Sequence, residues 1–357
     1  MTQVAKPSRS CALNRIDPVG EFHALIRDRN FPETYSITVY LKDAVDSHVL
    51  QQAVNDLAKR VPSINYAHRR TFFNVYHVSM PAPPQVMPVN KLPNTCSYYS
   101  ADGTHLFRVL YSENSFTAEI MHSTCDGRAL TEIVKALTVR YFELLPAGGD
   151  DGSSVSRIDK SQVLDCDMPA DPEESEDAWN RWFGKGAIGG GTVGDERAST
   201  ESKGGGVSVK RAHLFECAEL GDNVVSSLSF NLGELKSAAK ERGASINEYL
   251  LTHIFMALSE QRAEESAADA DNLLPLTCSI PIDCRSFFPS KTLQNFCITE
   301  TIAMPLQTIS KKSWNQLAGS QKLSMQGLST KKLAGRMKAW PSFAFSHLPY
   351  RQPLFAS

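Results

Sequence analysis

The 357-residue chain contains no run of about eighteen apolar residues, so no segment reads as a membrane-spanning helix. Its N-terminal stretch lacks an apolar core followed by a small-residue cleavage site, which argues against a secretory signal. Charge of one sign is also missing: 37 Lys and Arg stand against 39 Asp and Glu, a formal net charge of −2. No overall field draws such a chain to nucleic acid or to an anionic membrane. The eight cysteines form no C-x-x-C pair. Their scatter fits reduced thiols in a cytoplasmic protein and offers neither a disulfide framework nor a zinc site. No short-period repeat is visible. What is present is a 42% hydrophobic composition, enough to bury a sizeable core, in a length that accommodates two domains.

Periodicity organises the first part of the chain. Tyr35, Ile37, Val39 and Leu41 alternate along a strand. Asp46 can then cap a helix whose stripe is Val49, Leu50, Ala53, Val54 and Leu57. Short strands are expected near Ile64–Ala67, Phe72–Val78 and Leu106–Tyr111. Phe116, Ala118, Ile120 and His122 share one face of a further strand. Leu130, Ile133, Val134, Leu137, Tyr141 and Leu144 then line one stripe of a helix. Composition changes after Pro146. Residues 147–209 are rich in Gly, Asp and Ser and read as a crossover linker that buries little, although Trp179, Trp182 and Phe183 give part of it something to dock with. Pattern resumes near Lys210. Asn231–Arg242 reads as a helix stopped by Gly243. Ser245-Ile246-Asn247-Glu248 has capping-box spacing and opens a helix through Leu258. Leu274–Asp283 and Cys297–Met304 read as strands, and Ser310–Leu323 as a helix. Two segments, each mixing strand and helix, suggest two lobes: 1–146 and 210–357.

Two short elements could carry chemistry. The first is Met121-His122-Ser123-Thr124-Cys125-Asp126-Gly127. The pattern His-x-x-x-Asp is short enough to arise by chance, so its context matters. A strand should end at His122 with the ring pointing inward, a helix should begin after Asp126, and Gly127 should let the backbone turn. The alternative is a buried structural histidine followed by an ordinary helix cap. The second element is Ile280-Pro281-Ile282-Asp283-Cys284-Arg285 with Thr292-Leu293-Gln294-Asn295-Phe296. Arg285 at a strand end could hold a buried carboxylate through its planar fork. The alternative is a solvated Arg beside an Asn turn.

Taken together and in this order, the elements resemble the superfamily of CoA-dependent acyltransferases, which includes chloramphenicol acetyltransferase and the condensation domains of peptide synthetases. The nearest likeness is to alcohol acetyltransferase-like, condensation-type proteins. The matching pieces are the early strand and the helix ending Leu57-Ala58-Lys59-Arg60-Val61-Pro62, the His122–Gly127 motif, the helix from Ser245, and Pro281–Phe296. The resemblance implies a two-lobed α/β (α+β) fold, each lobe a mixed sheet flanked by helices, with a tunnel between them. It implies that His122 is the catalytic base, Asp126 the structural carboxylate, Gly127 the closing glycine, Arg285 the partner of that carboxylate and Asn295 the asparagine that follows. This sequence departs from the pattern at Met121, where many relatives have a first histidine, and at Gln294, where glycine is frequent. It has no Asp-Phe-Gly-Trp-like segment and relatives usually run longer, so the lobe 210–357 is expected to lack its last elements.

The chemistry implied is direct transfer of an acyl group from a thioester to a hydroxyl or amine, with no bound metal and no permanently bound cofactor. Acyl-CoA, or an acyl carrier thioester, is the co-substrate, and a small molecule is the acceptor. A carrier-protein-dependent condensation enzyme and a non-catalytic binding protein of the same fold are the alternatives. Cys125 as a nucleophile served by His122 is a third reading, weakened by the lack of a glycine-rich elbow around Cys125.

Overall fold

The computed structural model describes residues 13–27, 33–71, 74–89, 104–146, 160–184, 212, 213, 215, 227–265 and 274–304. The helix expected over Ser310–Leu323 lies outside them, as does most of the glycine-rich stretch. By their internal contacts the described residues fall into two compact units. One draws on Met1–Gly190 and Asp283–Cys297, the other on Gly191–Ile282 and Ile298–Met337.

The first unit is built on a four-stranded sheet in the order β1-β6-β5-β4. Its strands are β1 (Thr34–Tyr40), β4 (Met87–Pro88), β5 (Phe107–Tyr111) and β6 (Ser115–Met121). β6 pairs antiparallel with β1, from Thr34 opposite Met121 to Tyr40 opposite Ser115, and antiparallel with β5. Because side chains alternate along a strand, Phe116, Ala118 and Ile120 share one face. Two helices cover that face: α2 (Ser47–Arg60) and α3 (Gly127–Leu144). Leu50, Val54 and Leu57 of α2 and Leu130, Ile133 and Leu137 of α3 are fully or almost fully buried against Phe107, Phe116 and Ile120. Each such side chain stabilises the fold by roughly 1.5–3 kcal/mol. Asp46 caps α2 as expected, accepting from the backbone N–H groups of His48 and Val49 at 2.9 and 3.1 Å. Strands β2 (Tyr66–Arg70) and β3 (Val75–Ser79) form a separate hairpin with His68 opposite His77.

Two further features of this unit bear on the site. A helix, α1 (Pro18–Ile26), precedes β1, with Asp17 as its cap and Pro18 in its first turn. In addition, part of the expected linker is packed, as its aromatic residues suggest. Residues 160–184, which include α4 (Ala178–Phe183), belong to the same unit, and Trp179 is buried edge-on to Phe296. Composition read as solvated what specific partners hold in place. Glu174 makes a two-pronged ion pair with the buried Arg60 of α2.

In the second unit, α5 (Leu232–Glu241) ends at Gly243, whose φ of 66° is the left-handed conformation that a helix stop favours. The capping box is reciprocal: Glu248 N–H donates to Ser245 Oγ at 3.2 Å, and Ser245 N–H to Glu248 Oε2 at 2.7 Å. It opens α6 (Ile246–Glu265), which runs past the expected Leu258. β7 (Leu276–Asp283) pairs with β8 (Cys297–Met304). No helix among the described residues is long and apolar enough to cross a membrane.

Candidate active site

Strand β6 ends at Met121 and the chain turns through His122–Thr124, with Thr124 N–H donating to Met121 O at 2.9 Å. The ladder with β1 continues one residue beyond the strands, since His122 N–H donates to Glu33 O at 2.8 Å. That bond holds the backbone of His122 at a rigid sheet end. Met121 points the other way and is fully buried, accepting from Arg27 Nη1 through its sulfur at 3.3 Å.

Asp126 uses both carboxylate oxygens. Oδ1 accepts from Ala129 N–H at 3.0 Å and so caps α3. Oδ2 accepts from Arg285 Nη1 and from Phe296 N–H, each at 2.8 Å. The Arg285 and Asp126 side chains are 12% and 5% exposed, so the pair is largely out of water. The guanidinium does not grip the carboxylate with two parallel bonds. Its remaining donors reach Asp283 Oδ1, Thr292 O and Gln294 O, so one cation fastens both the His122 turn and the 292–294 loop. Gly127 begins α3, where an added Cβ would meet no atom within 4 Å. Arg285 and Asn295 fall within the expected C-terminal lobe, 210–357. The segment Asp283–Cys297 that carries them packs in the unit that also holds His122.

The 291–296 loop is anchored from its other side by the acidic segment. Leu293 N–H donates to Glu174 O at 2.7 Å, Thr292 Oγ1 to Glu176 O at 2.6 Å, and Gln294 Nε2 to Ser175 O at 2.7 Å. Glutamine at 294, in place of the more usual glycine, thus acts as a tether. The loop delivers Asn295, 1% exposed, to His122: Asn295 Oδ1 lies 3.1 Å from Nδ1 of the imidazole. A carbonyl oxygen only accepts, so Nδ1 carries the proton and Nε2 keeps its lone pair. No described residue hydrogen-bonds Nε2. Burial, and after it the adjacent His23, push the His122 imidazole below its ordinary range, so it is neutral near pH 7.

Several residues around His122 were not anticipated. His23 of α1 stacks on it with ring centroids 3.9 Å apart, while His23 Nδ1 lies 2.7 Å from Glu33 Oε2. Tyr35 of β1 sits 4.9 Å from the His122 ring and donates its hydroxyl to Cys125 O at 2.7 Å. Asp17 reaches Asn295. All but Tyr35 come from the segment before β1, where Asp17-Pro18 is a helix-start signal that the reading of the sequence did not use. Below the turn, Ser123 Oγ lies 2.9 Å from Nε2 of the buried His68.

Cys125 is fully buried, and that burial pushes its thiol up to about 12. A nucleophile must be a thiolate within reach of substrate, so this environment argues against the cysteine reading. Among the described residues no group of His, Cys, Asp and Glu is arranged to hold a metal ion.

No family model matches the chain, and no curated protein matches it. Solved structures do. Fusarium graminearum TRI101 complexed with ethyl coenzyme A aligns with a TM-score of 0.56 at 10% identity, over 94% of this chain and 78% of that one. Polyketide synthase associated protein 5 from Mycobacterium tuberculosis aligns with a TM-score of 0.53 at 13% identity, over 88% and 73%. The first condensation domain of the calcium-dependent antibiotic synthetase aligns with a TM-score of 0.50 at 12% identity, over 91% and 75%. The chain has the two-lobed chloramphenicol-acetyltransferase-like fold. At these identities the likeness is one of fold, and it agrees with the resemblance drawn from the His122 and Arg285 motifs. The chloramphenicol-acetyltransferase-like fold thus forms here on a sequence that has Met121 and Gln294 at two positions of the usual pattern.

Proposed function

We propose that the protein is an acyltransferase that moves an acyl group from a thioester, acyl-CoA in the first instance, to a hydroxyl or amine, with His122 as general base. The observation that carries the reading is the His122 imidazole itself, neutral, held at Nδ1 by Asn295 and free at Nε2. Nε2 takes the proton of the acceptor X–H as X attacks the thioester carbonyl carbon. The tetrahedral adduct collapses with cleavage of the C–S bond, and the departing thiolate takes the proton back from Nε2 as free thiol. One group thus serves as base and then as acid, which suits an imidazole whose ordinary pKa lies close to neutrality. Asp126, Arg285 and Asn295 act by position. They hold the turn and the loop that aim His122, and Asp126 does not touch the imidazole as the carboxylate of a serine-protease triad would. The coenzyme A complexes among the structural neighbours support acyl-CoA as donor, and the likeness to a condensation domain supports a carrier-bound thioester as the second reading. The described cysteines are all free, in keeping with the cytoplasm as the site of action.

The test is thiol release from acetyl-, medium- and long-chain acyl-CoA, and from an acyl carrier thioester, with mixed alcohols and amines as acceptors. Release that depends on the acceptor and disappears in His122→Ala supports the reading. Absence of acceptor-dependent release from every donor, or its retention in His122→Ala, overturns it.

A further inference from the structure

Three hydrogen bonds run in series from helix α1 to His122. Asp17 Oδ1 accepts from Gly20 N–H at 2.8 Å, Asp17 Oδ2 accepts from Asn295 Nδ2 at 3.2 Å, and Asn295 Oδ1 accepts from His122 Nδ1 at 3.1 Å. Asp17 is 3% exposed and Asn295 1%, so water is not there to substitute for either partner. A carboxamide has one accepting end and one donating end, so whatever orients one end orients the other.

We propose that Asp17 is a positioning residue that selects the tautomer of His122 through the Asn295 carboxamide. The inference rests on the reading of His122 as the base. An ionised Asp17 only accepts, so the amide nitrogen of Asn295 must face it. The amide oxygen then faces His122, the ring proton sits on Nδ1, and Nε2 is free to act. A protonated Asp17 reverses each step. Its O–H donates to the Asn295 oxygen after the carboxamide turns over, the amide N–H donates to Nδ1, and the imidazole proton moves to Nε2, where it blocks base catalysis.

The surroundings place this switch in the neutral range. Burial, opposed by the Gly20 and Asn295 donors and reinforced by Asp177 at the start of α4, raises the Asp17 carboxyl to about 7. Cys125 and Cys297 also lie near it, and burial pushes both thiols up, so they stay uncharged. His122 in turn is faced by His23 of α1, itself paired with Glu33, by Tyr35 of β1, and by Asp126 at the start of α3. Since any of these can bend a pH profile, the decisive measurement must report on the ring protons of His122.

Asp17→Asn supplies it. Asparagine is as good a helix cap as aspartate. Its oxygen keeps the Gly20 N–H and its amide nitrogen then faces Asn295, reproducing the protonated state at every pH. A purely structural Asp17 predicts no change at His122. In protein labelled with ¹⁵N-histidine, with His122 assigned by difference against His122→Gln, the ring shifts at about pH 8 should show the Nδ1–H tautomer in the unsubstituted protein and Nε2–H in Asp17→Asn. The kcat for thiol release should fall about 10²-fold with little change in KM. Adding Asn295→Asp to Asp17→Asn gives the introduced amide a carboxylate to donate to and His122 Nδ1–H a carboxylate to bond, so the Nδ1–H tautomer should return. Nδ1–H in Asp17→Asn overturns the proposal. Should that variant fail to fold, the unsubstituted protein decides: neutral His122 must change tautomer between about pH 8 and pH 6, and unchanged Nδ1–H overturns the proposal equally. The expected tautomer shift without thiol release from any donor upholds the relay and removes the acyl-transfer reading. Thiol release with no shift removes the relay alone.

Discussion

Replacing Arg285 by Ala removes one cation that satisfies four acceptors: the carboxylates of Asp126 and Asp283 and the carbonyls of Thr292 and Gln294. Asp283 is partly exposed and can recover water, so its share is small. Asp126 cannot, because its side chain is 5% exposed and its remaining donors are the Ala129 and Phe296 N–H groups. Breaking a buried pair on one side costs about 3–5 kcal/mol. Thr292 is 1% exposed, so its carbonyl has no ready water partner to replace the guanidinium, which keeps the cost within that range. For a unit of this size each kcal/mol lowers Tm by about 2–4 °C, so the expected fall is roughly 10 °C. Turnover should fall too, because the 292–294 loop positions Asn295 against His122. Arg285→Lys should recover only part of either loss, since an ammonium cannot serve Asp126 and both carbonyls in their present places. Thermal unfolding followed by circular dichroism, beside thiol release at a temperature where the variants are folded, measures both effects. An Arg285→Ala protein within about 2 °C of the unsubstituted Tm would mean that the pair is solvated and that the loop is held from elsewhere.

His122→Ala should lower thiol release by about 10²–10⁴-fold while Cys125→Ala keeps most of it, and the reverse order in the same assay would reinstate the cysteine nucleophile. Gly20→Ala places a methyl group 2.4 Å from the backbone oxygen of Ser123 and 2.7 Å from Ile16 Cγ2, so α1 must move away from the His122 turn. A stability loss of about 1–3 kcal/mol in urea, with reduced kcat, is expected, and a neutral substitution would show that α1 is loosely docked. Burial alone lowers His77 to about 3, so the native state holds it neutral while the unfolded chain protonates it near pH 6.5. Its contribution is therefore complete above the unfolded value and is lost as pH falls from there towards 3, by ~5 kcal/mol at most. His77→Phe keeps the ring stack with Tyr66 and His68 and should flatten the decline of Tm with acid, whereas parallel profiles would show that His77 is not the group responsible.

Much of the site's local geometry is legible in the residues. The alternation of Phe116, Ala118 and Ile120 fixes which face His122 inherits, and Asp126 is recognisable as a cap because the apolar stripe of α3 begins just after it. The capping box at Ser245 and the stop at Gly243 were equally readable. These are consequences of backbone geometry within a few residues, where hydrogen-bond partners are neighbours in sequence. The packing of the acidic stretch around Glu174 is not legible in this way, for the opposite reason. Its composition is that of a solvated linker, and nothing nearby in the chain announces Arg60 or the 291–294 loop as its partners.

By itself, then, the sequence determined a strand, a turn and a capped helix that present an imidazole and a carboxylate at a sheet end, together with an arginine and an asparagine ten residues apart that could serve them. Only the tertiary structure decided what those groups do to one another. Asp17 and Asn295 are 278 residues apart and meet only because α1 packs on the His122 turn through a glycine. The stacking of His23 on His122 arises from the same docking. Local propensity sets where a side chain leaves the backbone, but the proton position on an imidazole depends on which acceptor is buried beside it, and that is settled by packing between distant segments.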